Sequence, residues 1–266
     1  MTDIQDRLDE ALYDRKQQAT LDWLTSVDYS TQQNDFITRR QEGTGEWLVE
    51  SDEFQQWENN KRDILFCPGI PGSGKTMMVS IVVDHLFKKF GNDPGIGIAF
   101  LYCNFRQQQE QRLIDLFSSL LKQFSQRHLL FPECVTRLYK DHERNRTWPS
   151  FDEISNAIYS VIMNYSRAFI IVDALDECSV TNRVLSEIFS LQEKTGSSVF
   201  ATSRPILGIP KDFERRGSSI VEIRARDEDI RRYLDGHINQ ISTFVRDAPG
   251  LEGKIKSAIV KAADGM

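Results

Sequence analysis

Residues Gly69-Ile70-Pro71-Gly72-Ser73-Gly74-Lys75-Thr76 fit the pattern GxxxxGK[ST] in full. That spacing serves the holding of phosphate. Its glycines let backbone N–H groups turn inward around anionic oxygens, and the helix that follows adds the positive end of its dipole. Lys75 has the reach for β- and γ-phosphates, and the Thr76 hydroxyl can ligate Mg²⁺. The expected binding set is Gly69, Ile70, Pro71, Gly72, Ser73, Gly74, Lys75 and Thr76, with Met77 next along the helix. An apolar run precedes the loop (Ile64-Leu65-Phe66-Cys67) and an amphipathic one follows it (Lys75 to Phe90). This is the strand–loop–helix setting that such a loop requires. The alternative is a glycine-rich turn that holds nothing.

Two further constellations point to the same chemistry. Phe169-Ile170-Ile171-Val172-Asp173 is an apolar run ending in a carboxylate. Asp173 is expected to hold Mg²⁺ through a water, since hard cations take oxygen ligands. Asp176 and Glu177 follow, and either carboxylate could polarise an attacking water. Many hydrolytic P-loop enzymes carry a glutamate directly after the aspartate; here Ala174 stands there. A charge cluster at a helix N-terminus is the competing account of these acids. Ser198 to Ser203 forms another strand-like run, followed by Arg204-Pro205. An arginine at that strand end can sense a γ-phosphate or stabilise its transfer. Asn60-Lys61-Arg62-Asp63 resembles a guanine-reading NKxD but precedes the P-loop, the wrong order, and is read as accidental.

These residues need a scaffold. Apolar strands are expected at Ile64–Cys67, Ile96–Phe105, Ala168–Asp173, Ser198–Ser203 and Ser219–Ile223. Helices are expected between them, at Lys75–Phe90, Gln108–Phe124, Phe151–Met163 and Val184–Leu191. Uninterrupted apolar strands alternating with helices indicate a parallel sheet covered on both faces, with ligands at the carboxyl ends of its strands. The fold class is therefore α/β, a five-stranded parallel P-loop NTPase sheet flanked by helices. Residues 4–24 carry apolar residues at spacings of three and four and read as an amphipathic helix, most simply packed on the core. Ser26 to Asp35 reads as a polar connection. Asp229–Ile241 and Leu251–Ala263 read as two helices opening a helical domain. The expected divisions are 1–58, 59–225 and 226–266. The chain stops just after a helical run, which suggests a fragment of something longer.

With 266 residues, 27% of them charged and 40% hydrophobic, the chain has an ordinary soluble composition. A net charge of −6 argues against nucleic acid or an anionic membrane as the main partner. No apolar run reaches the length that spans a bilayer. Cys67, Cys103, Cys134 and Cys178 include no CxxC pair, so zinc is not expected; Cys67 and Cys103 read as small core hydrophobes. The simplest compartment is a reducing, cytoplasmic one.

Three stretches together resemble the NACHT domain of STAND-class P-loop NTPases. They are Cys67 to Thr76, Ile170-Ile171-Val172-Asp173-Ala174-Leu175-Asp176-Glu177-Cys178, and Thr202-Ser203-Arg204-Pro205. The run Arg39 to Leu48 is similar to the segment before that domain in fungal NOD-like receptors. The resemblance implies a signalling switch that rests with ATP or ADP, closed between the NTPase core and adjoining helices, and that self-associates on activation in the full-length protein. It assigns phosphate and Mg²⁺ to Lys75 and Thr76 and the first acid to Asp173. It makes Asp176 and Glu177 the extended acids and Arg204 the sensor, and it places Thr44 and Gly45 beside the base. GTP or GDP stays open; adenine is favoured because a true NKxD is missing. An actively turning-over NTPase and a non-hydrolysing scaffold are the alternatives.

Overall fold

The computed structural model describes residues 2–105, 111–178, 180–206, 208–237 and 251–263, with side chains from residue 12 onward. Its centre is one parallel sheet of β1 (Ile64–Pro68), β2 (Ile96–Tyr102), β3 (Arg167–Asp173), β4 (Ser198–Ser203) and β5 (Ser219–Ile220), in the order β2-β3-β4-β1-β5. Nearly every residue of the first four strands is buried, as a sheet covered on both faces requires. The order puts β4 between the strand that feeds the P-loop and the strand that ends in Asp173. Cα partners run Cys67↔Thr202 and Pro68↔Ser203 on one side of β4, and Val172↔Ala201 on the other. All the chemistry-bearing strand ends thus come out at one edge.

The covering helices are α1 (Thr2–Leu24), α2 (Ser30–Arg39), α3 (Glu46–Val49), α4 (Asp52–Asn59), α5 (Lys75–Phe90), α6 (Leu113–Arg127), α7 (Glu133–Asn145), α8 (Phe151–Ile162), α9 (Thr181–Thr195), α10 (Ile209–Glu214), α11 (Asp227–His237) and α12 (Leu251–Ala263). Helix α8 begins with a full capping box. Ser150 Oγ accepts the Glu153 N–H at 3.3 Å, and Glu153 accepts the Ser150 N–H at 2.8 Å. Helix α1 packs on α6 and α7 through Leu21, Leu24 and Trp23, whose ring meets Tyr139 at 5.3 Å.

Several expectations need correction. The polar stretch Ser26 to Asp35 is in part a helix, α2. Besides Phe36 and Ile37, which pack against the core, a buried amide docks it on α5. Gln33 Nε2 donates to the Ser80 carbonyl at 2.9 Å, and Gln33 Oε1 accepts from the Tyr102 hydroxyl. Periodicity of apolar residues cannot register such an anchor. Strand β2 stops at Tyr102, and α6 starts at Leu113 rather than Gln108; residues 106–110 lie outside the described set. Strand β5 is shorter than expected, although Val221 and Ile223 still donate to the carbonyls of Phe66 and Pro68. The expected helix Asp229–Ile241 is described only to His237.

Trp57 ties α4 to the sheet. It is 1% exposed, donates from Nε1 to the Val199 carbonyl at 2.9 Å, and packs against Phe54, Phe169 and Phe200 at 5.2–5.7 Å. Trp57→Ala is expected to cost about 3–5 kcal/mol of stability, the range for emptying such a site. A lowered urea midpoint with an unchanged slope is the readout. An unchanged midpoint would show that α4 contributes nothing to the cooperative core.

Candidate functional site

The P-loop leaves β1 at Pro68, where Gly69 donates to the Ser203 carbonyl at 3.1 Å. A Cβ on Gly69 would lie 2.5 Å from Ser73 Oγ and 2.7 Å from the Ile223 carbonyl oxygen, so only glycine fits. Gly74 caps α5 in the left-handed region, with φ of 89° and no atom within 4 Å of an added Cβ. No side chain caps this helix start, and its first turn has no acid. Ser73 Oγ is buried and, among the described residues, has no hydrogen-bond partner. Uncapped N–H groups, an orphaned hydroxyl and open space together suit an anion. Lys75 Nζ donates to the carbonyls of Gly69 at 2.8 Å and Ile70 at 2.9 Å, which holds the ammonium over the loop. Burial lowers its pKa, opposed by Asp176 and Asp173.

Asp173 lies across from Thr76, and β4 supplies the bridge. Thr76 Oγ1 donates to Asp173 Oδ2 at 2.7 Å; Thr202 Oγ1 donates to Oδ1 at 2.6 Å and accepts the Ala174 N–H at 2.9 Å. Asp173 is 2% exposed, and burial pushes its carboxyl up to about 6, against the pull of Thr202, Thr76 and Lys75. Thr202 enters the sequence pattern only as the residue opening the Thr202–Pro205 motif. Its signal is positional: it pairs with Cys67 at the carboxyl end of the strand between the two phosphate-side elements.

After Asp173, Ala174 takes a left-handed conformation (φ 51°) and starts a 3-10 turn, Leu175–Glu177. The turn separates the two acids that the sequence left as alternatives. Asp176 accepts the Arg204 N–H at 2.7 Å and its Nε at 2.5 Å, and its own side chain is 1% exposed. Burial raises the Asp176 pKa, but the Arg204 N–H and guanidinium outweigh it and hold the carboxyl below its usual range. Glu177 is only half-buried and accepts the Phe105 N–H at 3.3 Å. Arg204, at the β4 end, is thus paired with one extended acid and not the other.

The turn Gly43–Gly45 sits against α5. A Cβ on Gly45 would meet Ile81 Cδ1 at 2.5 Å and Met78 Sδ at 3.0 Å. Its other side faces α11: the Gly45 N–H donates to Asp229 Oδ2 at 3.1 Å, and Arg232 donates to the Gly43 carbonyl. Thr44 Oγ1 turns inward to the Gln41 carbonyl at 2.7 Å. Asp229 and Arg232 lie far along the chain from this turn, and no local pattern announces the contact. The cysteines also depart from expectation. Cys103 and Cys178 are joined as a disulfide with a Cα–Cα distance of 5.6 Å, so Cys103 is not a lone core thiol.

A divalent ion fits this donor set. Thr76 and Asp173 would hold it through oxygen atoms, the donors that a hard cation such as Mg²⁺ takes.

Comparison with known proteins decides the family. A family model described as nephrocystin 3, N-terminal, matches residues 43–204, more than half of the chain. The chain belongs to that family. The matched span begins at the Gly43–Gly45 turn and ends at Arg204, so it encloses every phosphate-side residue described above. The chain is also 23% identical over 232 residues to vegetative incompatibility protein HET-E-1 of Podospora anserina, covering 82% of this chain and 17% of that protein. It therefore spans about a sixth of the length of the curated relative it matches. These matches bear out the resemblance to the NACHT class of P-loop NTPases. Among solved structures, the Aeropyrum pernix Orc1 protein in complex with DNA aligns at TM-score 0.46 and 14% identity, over 83% of this chain and 53% of that one. PCH-2 of C. elegans aligns at 0.43 and 16%, over 79% and 53%, and Drosophila ORC bound to DNA at 0.43 and 18%, over 83% and 51%. Likeness at this level says nothing about ligand or partner. Among the described residues no helix is long and apolar enough to cross a membrane.

Proposed function

We propose that this chain is the Mg²⁺-dependent nucleotide-binding unit of a NOD-like signalling switch, resting with ADP or ATP and hydrolysing slowly. The observation that carries this reading is the triad Thr76–Asp173–Thr202, closed at 2.7 and 2.6 Å beside an uncapped, glycine-lined helix start. The paired threonines hold the Asp173 carboxylate where Mg²⁺ would sit, and Lys75 supplies charge for the phosphates. Mg²⁺, held by Thr76 and Asp173, would supply charge neutralisation for the phosphates.

The roles of the acids divide as their partners do. Asp176 positions Arg204, and Glu177, once released from the Phe105 N–H, is the carboxylate that orients water. Thr44 and Gly45 border the base, with Asp229 and Arg232 of α11 closing that side. A helix pinned to the turn by one backbone N–H and one carbonyl can part from it when occupancy changes, and switches act through such differential contacts. The relative's name places it in vegetative incompatibility. By extension, the longer protein containing this chain would act in non-self recognition or programmed cell death, and would self-associate when activated.

The test is to denature the purified protein and identify the released nucleotide by chromatography, then titrate Mg-nucleotide into the emptied protein. Stoichiometric ADP or ATP is expected; GDP or GTP would keep the class and reverse the base. A protein that carries nothing and ignores added Mg-nucleotide would sink the reading in favour of a scaffold. Glu177→Gln is expected to keep the wild-type affinity while slowing single-turnover hydrolysis by about 100-fold, the lower range for loss of a general base. An unchanged rate would remove Glu177 from the chemistry.

A further inference from the structure

Sulfur ties the end of β2 to the acidic turn. Cys103 directly follows Tyr102, the last residue of β2, and Cys178 directly follows Glu177. Their Cα atoms are 5.6 Å apart, inside the span that a disulfide bridges without backbone movement. Hydrogen bonds hold both residues at that spacing independently of the sulfurs. The Cys103 N–H donates to the Asp173 carbonyl at 3.2 Å. Gln111 clamps the flanking backbone, donating to the Tyr102 carbonyl and accepting the Asn104 N–H, each at 2.9 Å. Thr181 Oγ1 donates to the carbonyls of Leu175 and Cys178 at 3.1 and 2.7 Å. The pair is therefore preformed. The other two cysteines are not candidates: Cys67 is sealed in β1, where burial raises its pKa far out of reach, and Cys134 lies apart on α7.

In this joined state Glu177 points its Oε2 at the Phe105 N–H, two residues beyond Cys103. Tether and carboxylate engage the same strand end. We propose that Cys103 and Cys178 form a reversible thiol–disulfide pair that governs turnover at the adjoining nucleotide site, its disulfide form holding Glu177 on the β2 end. This inference rests on the reading of Glu177 as the hydrolytic carboxylate. Closure takes two protons and two electrons from the thiols, and a small-molecule disulfide receives them. One thiolate attacks the oxidant's sulfur and expels the first small thiol. The second protein thiol then attacks the mixed disulfide and expels the other. Both cysteines are about 5% exposed, so exchange needs the turn to open and runs over minutes to hours.

The experiment equilibrates the full chain, carrying Cys134→Ser to prevent intermolecular links, with set ratios of reduced and oxidised glutathione. Peptide mapping reads the link, single-turnover assays read hydrolysis, and titration reads affinity. The expected result is a Cys103–Cys178 linked peptide in the oxidised sample. Hydrolysis should be about tenfold slower than in the reduced sample, part of what a displaced general base forfeits. Nucleotide affinity should stay within about twofold, since no phosphate ligand has moved. Cys178→Ser should hydrolyse at the reduced rate under every ratio, and Cys103→Ala provides the same test if the serine variant fails to fold. No linked peptide at any ratio, or a linked protein with the reduced protein's rate, would overturn the proposal. Should the chain bind no nucleotide, the functional reading fails first. Hydrogen exchange of residues 174–178 then decides this one: stronger protection in the linked form supports the tether, and equal protection refutes it.

Discussion

Lys75→Ala is expected to weaken Mg-nucleotide binding by about 100-fold or more while the protein stays folded. The binding loss follows from charge-assisted contacts to two phosphates, together about 3 kcal/mol, which converts to that factor. The fold persists because, among the described residues, the hydrogen bonds of Lys75 Nζ go to the carbonyls of Gly69 and Ile70, both on the loop and both able to take water instead. Burial already lowers the Lys75 pKa, so its charge is a cost in the nucleotide-free state and its removal relieves that cost. Titration calorimetry paired with a thermal melt separates the two effects. Wild-type affinity in the variant would overturn the phosphate assignment outright. Lys75→Arg should fail nearly as badly, because a planar fork does not fit where a compact ammonium must approach two phosphate groups.

The site was legible in the sequence wherever its chemistry is local. Gly69 to Thr76 carries its whole geometry in eight consecutive residues, and the strand and helix around it follow from apolar runs of the proper period. The place of Asp173 was legible because a carboxylate closes a fully apolar run at the end of β3. Harder features depend on residues brought together from afar. Thr202 bridges to Asp173 only because β4 lies between β1 and β3, an order that no strand prediction contains. Asp176 and Glu177 part at a left-handed Ala174, which sends the two acids to different partners. Gln33 and Gln111 hold α2 and the β2 end in place through their amides, whereas the sequence reads Gln33 as part of a polar connection and Gln111 as part of a helix from Gln108. The Cys103–Cys178 pair spans 75 residues and could not be read from spacing.

Asp173→Asn should make the nucleotide-free protein more stable at pH 8 and remove the Mg²⁺ dependence of nucleotide binding. The carboxyl is raised in the folded state to about 6, from an ordinary value of 3.8, chiefly by burial. The folded form therefore holds a proton that the unfolded form releases. Stability from this group is full below the unfolded pKa and is lost as pH rises through about 6. Above that, the ionised carboxylate costs the empty fold roughly 3 kcal/mol, since each tenfold change in a proton equilibrium is worth about 1.4 kcal/mol. Asparagine removes the charge and keeps two hydrogen bonds, its carbonyl accepting from Thr202 and its amide donating to the Thr76 hydroxyl. The variant's melting temperature should exceed the wild type's by about 5 °C or more at pH 8, and the gap should close as pH falls from 6 toward 4. On the proposed reading Mg²⁺ would meet an ionised Asp173, so the metal's contribution to nucleotide affinity should fade over the same window; in Asp173→Asn that contribution should be absent at every pH. Melting curves and nucleotide titrations at pH 8 and pH 5.5, with and without Mg²⁺, supply both readouts. A variant less stable than wild type at pH 8 would mean that the Thr76–Asp173–Thr202 bridge holds the empty fold together. The carboxylate would then be structural, and the site would have no strained charge waiting for a metal.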